Sequence, residues 1–169
     1  MIPKQIFFTK GEGIHKDKLI SFEMALRDAG LAPYNLVTVS SILPPNAKII
    51  SREEGLSQLS PGEIVYCVLA RTDTNIPNQA ISASIGVAVP KCYGNHHGYL
   101  SEYHATNMPR NECGKYAEYM ATNMLATIMN IDTSSNDLNN IIKTNHIVQS
   151  SVGADGMWTT VIVAAVFVM

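Results

Sequence analysis

Asn35-Leu36-Val37-Thr38-Val39-Ser40-Ser41-Ile42-Leu43-Pro44-Pro45 is the stretch on which the reading of the chain turns. Asn35 to Val39 alternates polar and apolar side chains and is rich in β-branched residues, the pattern of a strand. Pro44 and Pro45 lack the N–H that a ladder needs, so the strand ends at the two serines. A serine pair held at a strand end against a stiff turn can press a hydroxyl toward the preceding carbonyl, and backbone strain is often stored at such places. On the local pattern alone, ordinary turn chemistry is by far the commoner reading of such a pair, because serine hydroxyls bond nearby backbone.

Upstream, Gln5 to Thr9 has β character, and Lys10-Gly11-Glu12-Gly13 reads as a turn leading into a helix. The further glycines and the lysine of a nucleotide fingerprint are missing at the required offsets. Asp17 to Ala29 carries Leu19, Phe22, Leu26 and Ala29 at helical spacing, with Gly30 as C-cap. Glu23 adjoins that stripe.

Downstream, Asn46 to Ser51 makes a short strand and Arg52 to Gly62 a polar connection. Glu63 to Arg71 is a strand, and Thr72 to Asn78 a loop on composition. Gln79 to Val89, with small residues that include Ser82, reads as a strand buried on both faces. Lys91 to His97 is a turn. In the strand Gly98 to His104, a period of two puts Leu100, Glu102 and His104 on one face and Tyr99, Ser101 and Tyr103 on the other. Gly114 to Ile131 is a second amphipathic helix with Tyr116, Tyr119, Met120, Met124, Ala126 or Thr127, and Ile128 on its stripe, flanked by a polar loop at Asp132 to Asp137. His146 to Val152 and Met157 to Val168 read as a hairpin across Gly153-Ala154-Asp155-Gly156. The class is α+β, with helices covering the outer faces of sheets.

A length of 169 residues at 46% hydrophobic content supports one domain, residues 1–169, and is short for two. A net charge of −2 with 15% charged residues leaves no basic patch for nucleic acid or an anionic membrane surface. The N-terminus lacks the apolar core of a signal peptide, and the longest apolar run, Val161 to Met169, is about half what a bilayer needs, so a cytoplasmic location is expected. Cys67, Cys92 and Cys113 form no close pair and fit reduced thiols. Low charge beside a high apolar fraction suggests surface covered by sister subunits, a homo-oligomer. His96, His97, Glu102 and His104 do not have the spacing of a metal site, and no lysine sits in a pyridoxal phosphate motif.

Val39-Ser40-Ser41-Ile42-Leu43-Pro44-Pro45, together with Phe22-Glu23-Met24-Ala25-Leu26-Arg27-Asp28-Ala29-Gly30 and Asn35-Leu36-Val37, resembles the self-cleavage region of the pyruvoyl-dependent arginine decarboxylases. Ile81-Ser82-Ala83-Ser84-Ile85-Gly86-Val87-Ala88-Val89-Pro90 and Gly98-Tyr99-Leu100-Ser101-Glu102-Tyr103 extend the resemblance. It implies a four-layer αββα sandwich, assembled as a trimer with active sites between neighbours. It implies cleavage between Ser40 and Ser41 into a β chain (1–40) and an α chain (41–169), with Ser41 converted to a covalent pyruvoyl group and no external cofactor, pyridoxal phosphate or metal. The group would form a Schiff base with L-arginine, which leaves as agmatine and carbon dioxide.

The resemblance gives Asn35 a role in self-processing, for which an amide donor to the oxyanion is a sensible mechanism; satisfying backbone groups at a strand start is the alternative. Glu102 is implied as the general acid that protonates the carbanion, a role suited to a carboxyl desolvated by apolar neighbours. Its replacement by glutamine is expected to spare cleavage and slow turnover. Glu23 stands where better-known archaeal members carry aspartate and is implied to meet the substrate guanidinium. That departure keeps open the same chemistry on aspartate or histidine. Leu19 and Leu26 match positions flanking the substrate's methylene chain, although helix packing explains them too. Ser82 is expected to approach the pyruvoyl group. A non-cleaving, non-catalytic relative that serves as an assembly or regulatory partner is the rival from another class.

Overall fold

Trp158–Val168, the last strand, is buried along nearly all its length because it has a strand on either side and apolar side chains on both faces. The computed structural model describes residues 1–91, 96–134 and 138–169. In chain order the elements are β1 (Gln5–His15), α1 (Lys18–Ala29), β2 (Asn35–Thr38), β3 (Ile42–Leu43), β4 (Lys48–Ile49), α2 (Arg52–Leu56), β5 (Ile64–Thr74), β6 (Ala80–Pro90), β7 (Gly98–Thr106), α3 (Arg110–Ile128), α4 (Leu138–Ile141), β8 (Ile142–Val152) and β9 (Trp158–Val168).

Strands in the order β2-β5-β9-β1-β4 make one sheet, and β3-β7-β6-β8 make the other. Ile6, Val161, Val163 and Ala165 from the first sheet meet Ile81, Ala83, Ile85 and Leu100 from the second in a shared core. Helix α1 covers the outer face of the first sheet through Ala25 and Ala29 against Phe7, Ile162 and Ala164. Helix α3 covers the outer face of the second through Ala121, Leu125 and Ala126 against Ala88 and Ile142. The layers are therefore α, β, β, α, and the α+β sandwich expected from the sequence is present.

Several local expectations change. The glycines at 11 and 13 do not end β1; they lie in the strand where α1 crosses it, and a Cβ would stand 2.1 Å from the Ala25 carbonyl oxygen or 2.0 Å from that of Ser21. The buried side of α1 is accordingly Ser21, Ala25 and Ala29, with Phe22 and Leu26 packed at its margin and Leu19 76% exposed. Gly153 to Gly156 is not a hairpin: β8 pairs with β6 in one sheet and β9 with β1 and β5 in the other, so this segment crosses between sheets. On α3 the buried stripe is Cys113, Gly114, Ala117, Ala121, Leu125 and Ala126, while Tyr116 and Tyr119 face outward at 46% and 61% exposure. Small side chains let a helix lie close on a sheet, and here they outweigh the larger apolar ones.

Thr72 to Thr74 extends β5, and Arg52 to Leu56 forms a short helix whose N-cap Ser51 accepts from the Glu54 N–H. Cys92, most of the turn at Lys91 to His97 and the end of the Asp132 to Asp137 loop lie outside the described residues. Among the described residues no helix is long and apolar enough to cross a membrane.

Candidate active site

The two serines stand where the chain passes from one sheet to the other. β2 pairs in parallel with β5 in the first sheet, and β3 pairs antiparallel with β7 in the second. On one side the Val39 N–H donates to the Cys67 carbonyl at 3.0 Å; on the other the Leu100 N–H donates to the Ser41 carbonyl at 2.8 Å. Between these anchors the chain folds into a tight three-residue turn in which the Ile42 N–H donates to the Ser40 carbonyl at 2.9 Å. The Ser41 hydroxyl donates to Glu102 Oε2 at 2.5 Å, a short charge-assisted hydrogen bond. The Ser41 hydroxyl thus meets a proton acceptor and the Ser40 carbonyl a donor.

β3 begins only at Ile42, opposite Tyr99, so β7 becomes an edge strand beyond Leu100. Glu102 shares the face of the fully buried Leu100 but lies past that edge and is exposed in the protomer. The desolvated carboxyl anticipated from its neighbours is not found within a single chain. A cavity of about 550 Å³ opens over the pair, walled by Ser101 and by Tyr119, Met120, Asn123 and Met124 of α3.

α3 is fastened where it supplies that wall. Ser101 Oγ donates to the Ala117 carbonyl, and Ser84 Oγ to the Cys113 carbonyl at 3.1 Å. At the next residue, Glu118 accepts from Thr144 and contacts His146 Nδ1 at 2.6 Å, tying the helix to β8. Burial pulls the Glu118 carboxyl up, but the hydrogen bonds from Thr144 and His146, with the charges of His146 and Lys115, outweigh it and hold the carboxyl below its usual value. Tyr103, Tyr116 and Tyr119 stack in series, with ring centroids 4.7 and 6.0 Å apart, from β7 to the cavity rim.

The other candidate residues lie elsewhere in the protomer. Asn35 donates its amide to the Gly62 carbonyl at 2.8 Å, anchoring the start of β2. Glu23 accepts from Arg27 Nε at 3.0 Å on α1, and Leu19 and Leu26 share that helix, on the opposite outer face from α3. Ser82 is buried in β6 and shares a hydrogen bond of 2.7 Å with Ser150 of β8. The structure thus brings together Ser40, Ser41 and Glu102, and it keeps Asn35, Glu23, Leu19, Leu26 and Ser82 on other contacts. Sequence reading missed the Ile42 N–H and the Glu118–His146 tie. The first is a backbone group without a residue signature, and the second joins positions on separate elements. Tyr119, Met120 and Met124, read from the sequence as part of the stripe of the second helix, line the cavity wall instead.

Cys67 and Cys113 are free and buried. Burial raises the Cys67 thiol to about 11; it raises that of Cys113 too, against a hydrogen bond from Ser84. Neither carries a reactive thiolate at neutral pH.

A family model described as pyruvoyl-dependent arginine decarboxylase matches residues 5–169, which places the protein among the carboxy-lyases. A protein of Methanosarcina acetivorans named pyruvoyl-dependent arginine decarboxylase 2 is 49% identical, over 99% of this chain and 98% of its own. A pyruvoyl-dependent arginine decarboxylase of Methanococcoides burtonii is 49% identical over the whole of both chains. A probable pyruvoyl-dependent arginine decarboxylase of Chlorobium limicola is 48% identical, over 98% of this chain and 97% of its own. The chain belongs to the pyruvoyl-dependent arginine decarboxylase family, whose electron-accepting group is a covalently held pyruvoyl.

Proposed function

We propose that this chain cleaves itself between Ser40 and Ser41 and, with the pyruvoyl group derived from Ser41, converts L-arginine to agmatine and carbon dioxide. The observation that carries this reading is the 2.5 Å hydrogen bond from the Ser41 hydroxyl to Glu102 in a turn that also binds the preceding carbonyl. The residues present fit the group, because position 41 opens onto a cavity of about 550 Å³ with one carboxylate in reach. Once formed, the group supplies a ketone conjugated to an amide, which accepts the electron pair released with carbon dioxide. Glu102 takes the Ser41 proton during cleavage and later delivers a proton from its carboxyl to the substrate's α-carbon.

Glu23, Leu19 and Leu26 reach a substrate at Ser41 only from a second copy of the chain, since α1 and α3 lie on opposite outer faces. We therefore read the protein as a homo-oligomer, a trimer of cleaved protomers in which α1 of one faces the cavity of the next. Leu19, 76% exposed in the protomer, would be covered there. Glu23 already holds a guanidinium, that of Arg27, and its carboxylate would exchange this partner for the substrate's. Asn35 acts indirectly, by fixing the start of the strand that leads to Ser40. Ser82 keeps the small-residue strand beneath α3 in register with β8.

Denaturing mass spectrometry of aged protein tests the reading. Two fragments, 1–40 and 41–169, are expected, the second short of one ammonia, with carbon dioxide released from arginine and not from histidine or aspartate. A lone intact mass refutes the reading. Glu102→Gln is expected to slow both cleavage and turnover, turnover by about 10²–10⁴-fold. This departs from the expectation that cleavage would be spared, because the Ser41 hydroxyl donates directly to this carboxylate. Fragment formation followed on gels beside carbon dioxide release checks both, and unchanged rates remove Glu102 from the chemistry.

A further inference from the structure

We infer that the backbone N–H of Ile42 is the oxyanion donor of the self-cleavage step. The inference rests on the self-cleavage reading above and adds the group that carries the developing charge. An acyl shift at Ser40 places negative charge on the Ser40 carbonyl oxygen, and a donor must already be aimed at that atom. The asparagine for which the resemblance implies a part in self-processing, Asn35, donates its amide instead to the Gly62 carbonyl.

The register of β3 supplies another donor. Ile42 stands opposite Tyr99, and the ladder bond beside this pair runs from the Leu100 N–H to the Ser41 carbonyl. In an antiparallel ladder that arrangement makes Ile42 and Tyr99 a non-hydrogen-bonded pair, with the Ile42 N–H directed away from β7. β3 is the edge of its sheet, so no further strand takes up this N–H. It turns back onto the Ser40 carbonyl oxygen at 2.9 Å. The edge position thus leaves one backbone donor over, and the tight turn delivers it to the scissile carbonyl.

The step balances without an added reactant. Glu102 Oε2 takes the proton of Ser41 Oγ as the oxygen bonds to the Ser40 carbonyl carbon, and the carbonyl π pair moves onto the oxygen that faces the Ile42 N–H. When that pair returns, the bond from the Ser40 carbon to the Ser41 nitrogen breaks. The nitrogen keeps the electron pair and recovers the proton from Glu102, leaving an ester between Ser40 and Ser41.

The test replaces Ile42 by its α-hydroxy acid, so that an ester oxygen stands where the N–H was and every side chain is kept. A synthetic segment 1–66 carrying this change is ligated at Cys67 to residues 67–169 and folded beside an all-amide chain assembled the same way. The fold is checked by circular dichroism and the rate is read as appearance of fragments 1–40 and 41–169. Cleavage slower by at least about tenfold is expected, since losing one oxyanion donor costs about 10²–10³ in rate. In the uncleaved Ser41→Ala chain, the Ile42 amide is further expected to exchange its hydrogen slowly, although it lacks a ladder partner.

A folded ester chain that cleaves as fast as the all-amide chain overturns the inference and leaves self-cleavage standing. If the ester chain does not fold, hydrogen exchange decides: an Ile42 amide exchanging like an unstructured one overturns the inference equally. An all-amide chain that never cleaves removes the self-cleavage reading itself, and the inference with it.

Discussion

Ser41→Ala is expected to leave one continuous chain of 169 residues that releases no carbon dioxide from arginine. The change removes the hydroxyl that donates to Glu102 and nothing else that holds the turn. The bonds from Leu100 to the Ser41 carbonyl, from Ile42 to the Ser40 carbonyl and from Val39 to Cys67 all use backbone atoms. Ser41 is only partly buried, so alanine opens no sizeable cavity, and the variant should fold and melt close to the parent. Loss of function without loss of fold separates a chemical role from a structural one. Ser40→Ala is the matched control, because the proposed cleavage uses the Ser40 carbonyl and not its side chain, and it should yield both fragments. Mass spectra of the two variants, with carbon dioxide release measured on each, give the answer. Activity in Ser41→Ala would place the electron-accepting group at another residue, and an uncleaved Ser40→Ala would make the serine pair, not Ser41 alone, the reacting unit.

The parts of the fold that sequence reveals are those whose cause is local. β6 and β9 read correctly because a strand buried on both faces must be apolar almost throughout. Helix α1 ends where expected because Gly30 adopts a left-handed conformation, φ 78°, that suits glycine and disfavours other residues. What failed depended on neighbours distant in sequence. Gly11 and Gly13 look like loop residues until α1 is laid across them. Gly153 to Gly156 looks like a hairpin until β8 and β9 are assigned to separate sheets.

The site divides in the same way. Ser41 and Glu102, 61 positions apart, could be joined in advance only by resemblance to a family. The short extent of β3, which leaves Glu102 exposed, and the edge geometry that frees the Ile42 N–H are consequences of pairing that no single segment encodes. Glu118 and His146 join α3 to β8 by a contact that likewise waits on the sheet order.

Gly86→Ala is expected to cost more stability than any exposed substitution, because β6 meets α3 at this residue with no room for a methyl group. A Cβ there would lie 2.1 Å from the Ala117 carbonyl oxygen, 2.2 Å from its carbon and 2.4 Å from the Glu118 nitrogen. All three are helix backbone, so no side chain can swing aside, and α3 must move by about an ångström or more to restore van der Waals contact. Moving it breaks the bond from Ser101 to the Ala117 carbonyl and loosens the tie from Glu118 to His146. It also displaces Tyr119, Met120 and Asn123, which wall the cavity over Ser41. The cost should exceed the roughly 3 kcal/mol usual upper range for overpacking, lowering Tm by roughly 10 °C for a chain of this size. Gly62→Ala isolates the alternative cause: its φ of 85° strains any side chain, yet nothing lies within 4 Å of the added carbon, so about 1–2 kcal/mol is expected. Thermal melts of the two variants decide between clash and strain. If Gly86→Ala folds, its KM for arginine should rise, because the wall has shifted while Ser41 and Glu102 remain. A Gly86→Ala protein that melts no lower than Gly62→Ala and keeps the parent KM would mean that α3 does not bear on this strand as described.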